Sequence, residues 1–262
     1  MAATLKMLTH NLSDRGHETI EIYPISDMHV GSREFNEGQL ARVVREIAEQ
    51  DNRYVILGGD LCDNATKSSV GDIYRATMAP RDQPQYVAEL LWQVKDRILA
   101  CVSGNHCWRT MKDVDLDPMA MVAAKLNVEH LYEPDIAFIK LVAGKRTSHS
   151  VRPPAYCIAV THGSGGGSLL GAGLNKAEPF ALAMGVDLLI TGHTHRPMTA
   201  PTMRYECDMG KGVMVPREVR ILVATGYLDW MGYPARKMLK ALPIRQNKAI
   251  LNCQAHDISV LS

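Results

Sequence analysis

The sequence predicts an α/β fold. Two observations predict it. Residues 19–126 alternate short apolar, β-branched runs with amphipathic helical stretches, and the chain beyond residue 198 is almost all strand-like. The run 19–26 (TIEIYPIS) reads as a strand entering a turn. Residues 37–50 read as a helix, with Leu40, Val43, Val44 and Ile47 at helical spacing. Residues 54–60 (YVILGGD) form a short apolar strand ending in glycines. Residues 85–98 form a second helix, 98–104 the strand ILACVSG, and 119–126 a further helix. Such alternation argues for parallel strands joined by crossovers. Strands follow at 137–143 and 156–162. Residues 176–185 read as a helix closed by Gly185, and 186–193 as a short buried strand. From 198 onward 204–209, 212–216, 217–226 and 249–260 read as strands, with one short helix at 235–242. This half is expected to form a mixed sheet or a second sheet packed on the first. No linker divides the chain, so residues 1–262 are read as one domain.

Composition narrows the class. Of 262 residues, 46% are hydrophobic and 22% charged, which excludes disorder for the bulk of the chain. No apolar run approaches the roughly 18 residues needed to cross a bilayer. The first residues lack the apolar core of a signal peptide, and a soluble cytoplasmic protein with no membrane partner is expected. Net charge is +1, so charge alone does not announce a nucleic-acid partner. Its distribution is uneven, −5 over residues 1–131 and +6 over 132–262, and chance distribution over solvated faces is the preferred reading of that asymmetry. None of the six cysteines forms a CxxC pair, and they read as buried free thiols in a reducing compartment.

The chemistry concentrates at strand ends, where open α/β sheets place ligands. Five segments carry it: SDMHVGS at 26–32, GGDLCDN at 58–64, SGNHCWR at 103–109, VTHGSGGG at 160–167 and TGHTHRP at 191–197. Five of the ten histidines fall in them. Taken singly the segments are weak. Asp27-x-His29 is common, Asp60 and Asp63 read equally well as turn-capping residues, and an isolated His162 is more often structural. Asn105-His106 and His193-x-His195 are more specific. Together they offer carboxylates, an amide oxygen and imidazoles, a ligand set that suits Mn, Fe, Zn or Ni without any thiolate. Asp27, His29, Asp60, Asn105, His162, His193 and His195 are too many ligands for one tetrahedral ion and fit two metals sharing a carboxylate.

The order of these blocks, D-x-H, G-D-x-x-D, G-N-H, a further His and G-H-x-H, resembles that of the calcineurin-like metallophosphoesterase superfamily. The likeness spans residues 27–195. It implies a four-layer α/β/β/α sandwich of two mixed β-sheets flanked by helices. It implies two divalent ions, manganese first and Fe, Zn or Ni next. Asp27, His29, Asp60 and His195 would hold one. Asp60, Asn105, His162 and His193 would hold the other. His106 and Asp63 would be catalytic, His106 as general acid or transition-state stabiliser and Asp63 by orienting a ligand. Arg109 would bind substrate phosphate, with a surface salt bridge as the competing reading. The implied activity is phosphoester hydrolysis by a hydroxide held between the ions. One departure is Cys107, which stands where the family usually has an acid.

Among branches, Asn64 and Ala65 after Asp63 disfavour the protein phosphatases. DMHVGS resembles nuclease-like and phage or bacterial phosphodiesterases. A phosphodiesterase or nuclease-like enzyme acting on nucleic acid or nucleotide is therefore expected. A phosphomonoesterase on a nucleotide or small metabolite is the alternative, and an inactive scaffold ranks third. Family members often form homodimers. Two further features bear on substrate. The glycine loop 164–167 reads as a phosphate cradle or a plain connector, and Arg236, Lys237, Lys240 and Arg245 read as a solvated basic face.

Overall fold

The computed structural model describes residues 5–67, 69, 73–144, 153–166, 171–231, 235, 241 and 244–261. Two six-stranded mixed sheets carry the fold. The first runs β1 (Met7–Asn11), β6 (Ile136–Val142), β7 (Ala155–Thr161), β8 (Leu188–Thr191), β10 (Val213–Val223) and β9 (Met198–Asp208) in spatial order. The second runs β12 (Ile258–Leu261), β11 (Lys248–Asn252), β2 (Thr19–Ile25), β3 (Arg53–Leu57), β4 (Ile98–Val102) and β5 (Tyr132–Glu133). β2, β3 and β4 pair in parallel, as do β7 and β8.

Strand alternation explains the layers. Ile20 and Ile22 of β2 and Tyr54 and Ile56 of β3 face Tyr156, Ile158 and Val160 of β7 in the core between the sheets. The intervening Tyr23, Ile25, Val55 and Leu57 turn outward to a second core. There they meet α1 (Glu37–Ala48), α2 (Gln83–Leu91) and α4 (Pro118–Leu126). Leu40, Val43, Val44 and Ile47 make up the apolar stripe of α1, as their spacing requires. On the far side, Ala159, Leu189, Val219 and Ile221 pack against Ala177, Phe180 and Ala181 of α5 (Ala172–Met184). Helices, sheet, sheet and helix give the four-layer α/β/β/α sandwich.

Several boundaries differ from the sequence reading. The helix expected over 85–98 stops at Leu91, and Trp92–Arg97 tighten into 3-10 turns. Arg97 anchors that end, donating to the carbonyls of Ile47 at 3.3 Å and Gln50. The two strands expected over 212–216 and 217–226 are one, Val213–Val223, continuously paired with β9. Residues 249–260 split into β11 and β12 around a turn in which Asn252 Oδ1 accepts from Gln254 and Ala255 amides at 2.7 and 3.0 Å. β1, β5 and α3 (Asn105–Val114) were not legible in the sequence. The helix expected over 235–242, with Arg236, Lys237 and Lys240, lies outside the described residues apart from 235 and 241. Among the described residues no helix is long and apolar enough to cross a membrane. All six cysteines are free. Four are buried, Cys157 is half-buried and Cys207 is exposed on β9 rather than buried.

Candidate metal centre

Strands β2, β3 and β4 of one sheet and β7 and β8 of the other end at one pole of the sandwich. Asp27 and His29 follow β2, Asp60 and Asp63 follow β3, and Asn105 and His106 open α3 just after β4. His162 follows β7 directly, and His193 and His195 follow β8. The loops bend sharply there. Asp27, His29, Asp60, His193 and His195 all have φ between 49° and 67°, five of the eight described non-glycine residues with positive φ. Such a conformation is uncommon for residues with a Cβ, costs about 1–3 kcal/mol apiece and clusters at functional sites. Backbone hydrogen bonds hold it: Asp27 N donates to Gly59 O and His29 N to Asp60 O, each at 3.0 Å. Gly104 is required by its close approach to Asp60, since a Cβ there would lie 2.0 Å from Asp60 Oδ1.

Three groups of side chains bring ligand atoms within 4.8 Å of one another: Asp27, His29 and His195; Asp60, His162 and His193; and His29, Asp60 and His106. In the first, His195 Nε2 stands 3.1 Å from Asp27 Oδ1 and 3.2 Å from His29 Nε2. In the second, His162 Nε2 lies 3.1 Å from Asp60 Oδ2, and Asn105 Oδ1 lies 3.1 Å from His162 Nε2 and 2.8 Å from His193 Nδ1. Asp27 Oδ1 is 3.9 Å from His162 Nε2, so the groups adjoin. All seven residues expected as ligands are thus brought together.

The remaining atoms of these groups are tied back to the frame. Ser26 Oγ donates to Asp27 Oδ2 at 2.6 Å, and His193 N donates to the same oxygen at 2.9 Å. Asp60 Oδ1 accepts from His106 N at 2.9 Å. His162 Nδ1 donates to Gly58 O at 2.8 Å, which leaves Nε2 facing the centre. Asp27 Oδ1, by contrast, is buried without a hydrogen-bond partner among the described residues. A buried carboxylate oxygen left bare among imidazole nitrogens is a lone pair aimed at a cation. The donor set, carboxylate and amide oxygens with imidazoles, fits divalent ions of the borderline class.

Burial alone would push Asp27 and Asp60 up. The imidazoles of His195 and His162 at Asp27, and of His162 and His106 at Asp60, hold both well below the usual carboxylate range. Burial lowers His162, but Asp27 and Asp60 outweigh it and raise the imidazole to about 9. Burial and the neighbouring His29 pull His106 down to about 4.

His106 Nδ1 lies 2.5 Å from Asp63 O. Arg109 Nη2, which only donates, lies 3.1 Å from the same nitrogen, but the carbonyl is the nearer partner and only accepts, so Nδ1 is assigned the proton and Nε2 is bare, 4.0 Å from Asp60 Oδ2. Asp63 Oδ1 stands 3.5 Å from both His29 Nδ1 and His106 Nδ1. Arg109 Nη2 donates to Asp63 O at 2.9 Å and Asn64 O at 3.1 Å. Cys107 is buried in the core under the second sheet, where burial pushes its thiol up to about 12.

The sequence reading did not single out Ser26 or Gln83. Ser26 opens the first strand-end motif, where a hydroxyl next to an aspartate was the available signal. Gln83 is buried at the start of α2 and accepts from Asn64 N at 2.9 Å, bracing the Asp63–Asn64 turn. No local pattern marks it.

A model of the family described as Calcineurin-like phosphoesterase matches residues 20–197. The DNA polymerase II small subunit of Thermoplasma acidophilum is 28% identical over 134 residues, 49% of this chain and 26% of that protein. The chain thus spans about a quarter of the length of that curated relative. Vacuolar protein sorting 29 from Cryptosporidium parvum aligns with 94% of this chain and 98% of its own, at 15% identity and a TM-score of 0.45. The nuclease MPE of Pseudomonas putida aligns with 92% of this chain and 87% of its own, at 16% identity and a TM-score of 0.35.

Proposed function

This chain belongs to the calcineurin-like phosphoesterase family of phosphoester hydrolases, and on that premise we propose that it is a dinuclear phosphodiesterase. Asp27, His29, Asp60 and His195 would hold one divalent ion, and Asp60, Asn105, His162 and His193 the other, manganese being the first to supply. Bound there, such ions polarise phosphate oxygens and lower the pKa of a water. The observation that carries the reading is Asp60. Its carboxylate belongs both to the group with His162 and His193 and to the group with His29 and His106.

The chain's own groups divide the remaining work. Asp27 and Asp60 stay ionised at neutral pH because the imidazoles around them favour the charged form. Ser26 fixes the Asp27 rotamer through its 2.6 Å hydrogen bond. His106 keeps one proton on Nδ1 against Asp63 O and presents Nε2 toward Asp60. A proton taken up at Nε2 is the one it can pass to the leaving oxygen. Asp63 steadies His29 and His106 together. Arg109 is assigned to positioning, because Nη2 is committed to the Asp63 and Asn64 carbonyls. The relative named as a DNA polymerase subunit makes a nucleic-acid diester the natural substrate to try first.

Hydrolysis of a chromogenic phosphodiester beside its monoester, with manganese, tests the reading. Diester preference that disappears in Asp60→Asn is expected. Monoester preference would move the assignment to a phosphomonoesterase.

A further inference from the structure

A cavity of about 660 Å³ opens beside the candidate centre, with Asn105 and His162 on its wall. Its size lies within the range of about 300–1,000 Å³ typical of small-molecule sites. Two helices face each other across it. Trp108 lies one turn beyond Asn105 on α3, so both share a helix face, and the residue is 42% exposed. On α5, Lys176, Ala177 and Phe180 share the opposing face. Two polar groups on the lining have no partner among the described residues. Thr194 Oγ1 is buried without a hydrogen bond. Lys176 makes no ion pair there. Its Nζ crosses the glycine turn after His162, lying 3.0 Å from where a Cβ on Gly165 would stand.

Apolar wall, aromatic rim, an unanswered hydroxyl and a cation reaching over the turn describe one kind of ligand. It has a flat ring, hydrogen-bonding edges and a negative charge beyond the phosphate at the centre. A sugar phosphate would leave Trp108 and Phe180 unused, and an acyl chain would leave Thr194 and Lys176 unused. We infer that this cavity seats one unpaired nucleoside of the substrate, stacked on Trp108, with Lys176 meeting an adjoining phosphate. The inference rests on the phosphodiesterase reading for its placement beside the scissile group, but binding tests it separately.

The test is calorimetric titration of the full chain, supplied with manganese, with thymidine monophosphate, ribose 5-phosphate and inorganic phosphate. The nucleotide is expected to bind about tenfold more tightly than either control. Trp108→Ala should remove that preference and Trp108→Phe should keep most of it. Equal affinity for nucleotide and sugar phosphate, or a preference unchanged in Trp108→Ala, would overturn the inference even if diesters are hydrolysed. A clear nucleotide preference in a chain that cleaves no diester would uphold the subsite while the phosphodiesterase reading falls. In EDTA, a short oligothymidylate is expected to bind more tightly than the mononucleotide, and Lys176→Ala should abolish the difference. Equal binding of the two by the unaltered chain would overturn the role given to Lys176.

Discussion

Gly104 lies so close to Asp60 that a Cβ on the glycine would stand 2.0 Å from the carboxylate Oδ1. Asp60 therefore keeps its place only because residue 104 has no side chain. In the sequence, Gly104 and Asp60 are punctuation and charge, 44 positions apart. In the fold they meet where β3 and β4 end side by side.

Gly104→Ala should displace Asp60 or the turn that carries it. Overpacking of this kind costs about 1–3 kcal/mol, and loss of the Asp60 position should cost far more in turnover than in stability. Thermal unfolding measured beside diester hydrolysis checks this. A variant with full activity would show that Asp60 is free to move.

Ser26→Ala removes the hydroxyl that donates to Asp27 Oδ2 at 2.6 Å, while His193 N still holds the same oxygen. A hydrogen bond to a charged, buried group is worth about 1.5–3 kcal/mol. Manganese affinity in this variant should fall by about tenfold or more, read by titration. Unchanged affinity would mean that the His193 amide alone orients Asp27.

Proton linkage gives a third prediction. In the metal-free protein His162 is raised to about 9, so it is charged at pH 7. A metal can take Nε2 only after that proton leaves. Manganese binding at pH 7 should release protons, and affinity should climb as pH rises toward 9. For stability of the metal-free fold the sign is opposite. A raised pKa contributes fully below the unfolded value near 6.5, and that contribution is lost as pH rises through about 9. Chelated protein should therefore melt lower at pH 9.5 than at pH 6.5. Metal binding without proton release at pH 7 would contradict the assignment of His162.

Away from the centre, His256 stacks on Tyr156 at 4.7 Å and pairs with Asp187 at 3.4 Å. The hydrogen bond to Asp187 raises His256. Burial pushes Asp187 up, but His256 outweighs it and the carboxyl ends lowered. The aspartate's share is lost as pH falls below its ordinary value near 3.8. The histidine's share is full below about 6.5 and is lost as pH rises through its raised value. The pair thus contributes most between about pH 4 and 6.5. His256 is partly exposed, so the effect of His256→Ala should stay below about 1 kcal/mol. Melting temperature followed across that window in both proteins checks it.

What the sequence showed depended on how local the signal was. The helical stripe of α1 and the alternation of β2 are periodic patterns, readable within a dozen residues. The five strand-end motifs were readable because aspartate, asparagine, histidine and glycine collect there, and the fold brings all seven expected ligands to one pole. The α3 helix was not readable: it starts inside a motif, with polar residues at most positions. The Trp92–Arg97 tightening depends on carbonyls of residues 47 and 50, which no window around 92 contains. Arg109 shows the same limit. Its charge suggests phosphate, and nothing near residue 109 in the sequence points to the two carbonyls some 45 residues earlier to which Nη2 donates.

Sharing of Asp60 by two ions, as proposed, is open to a direct count. The most direct measurement counts manganese retained per chain, by elemental analysis after gel filtration, in the wild-type protein and in Asp60→Asn. Two ions in the wild type, and one or none in the variant together with lost diester hydrolysis, is the predicted result. A wild-type chain that retains a single ion, or an Asp60→Asn chain that keeps two ions and its activity, would contradict it.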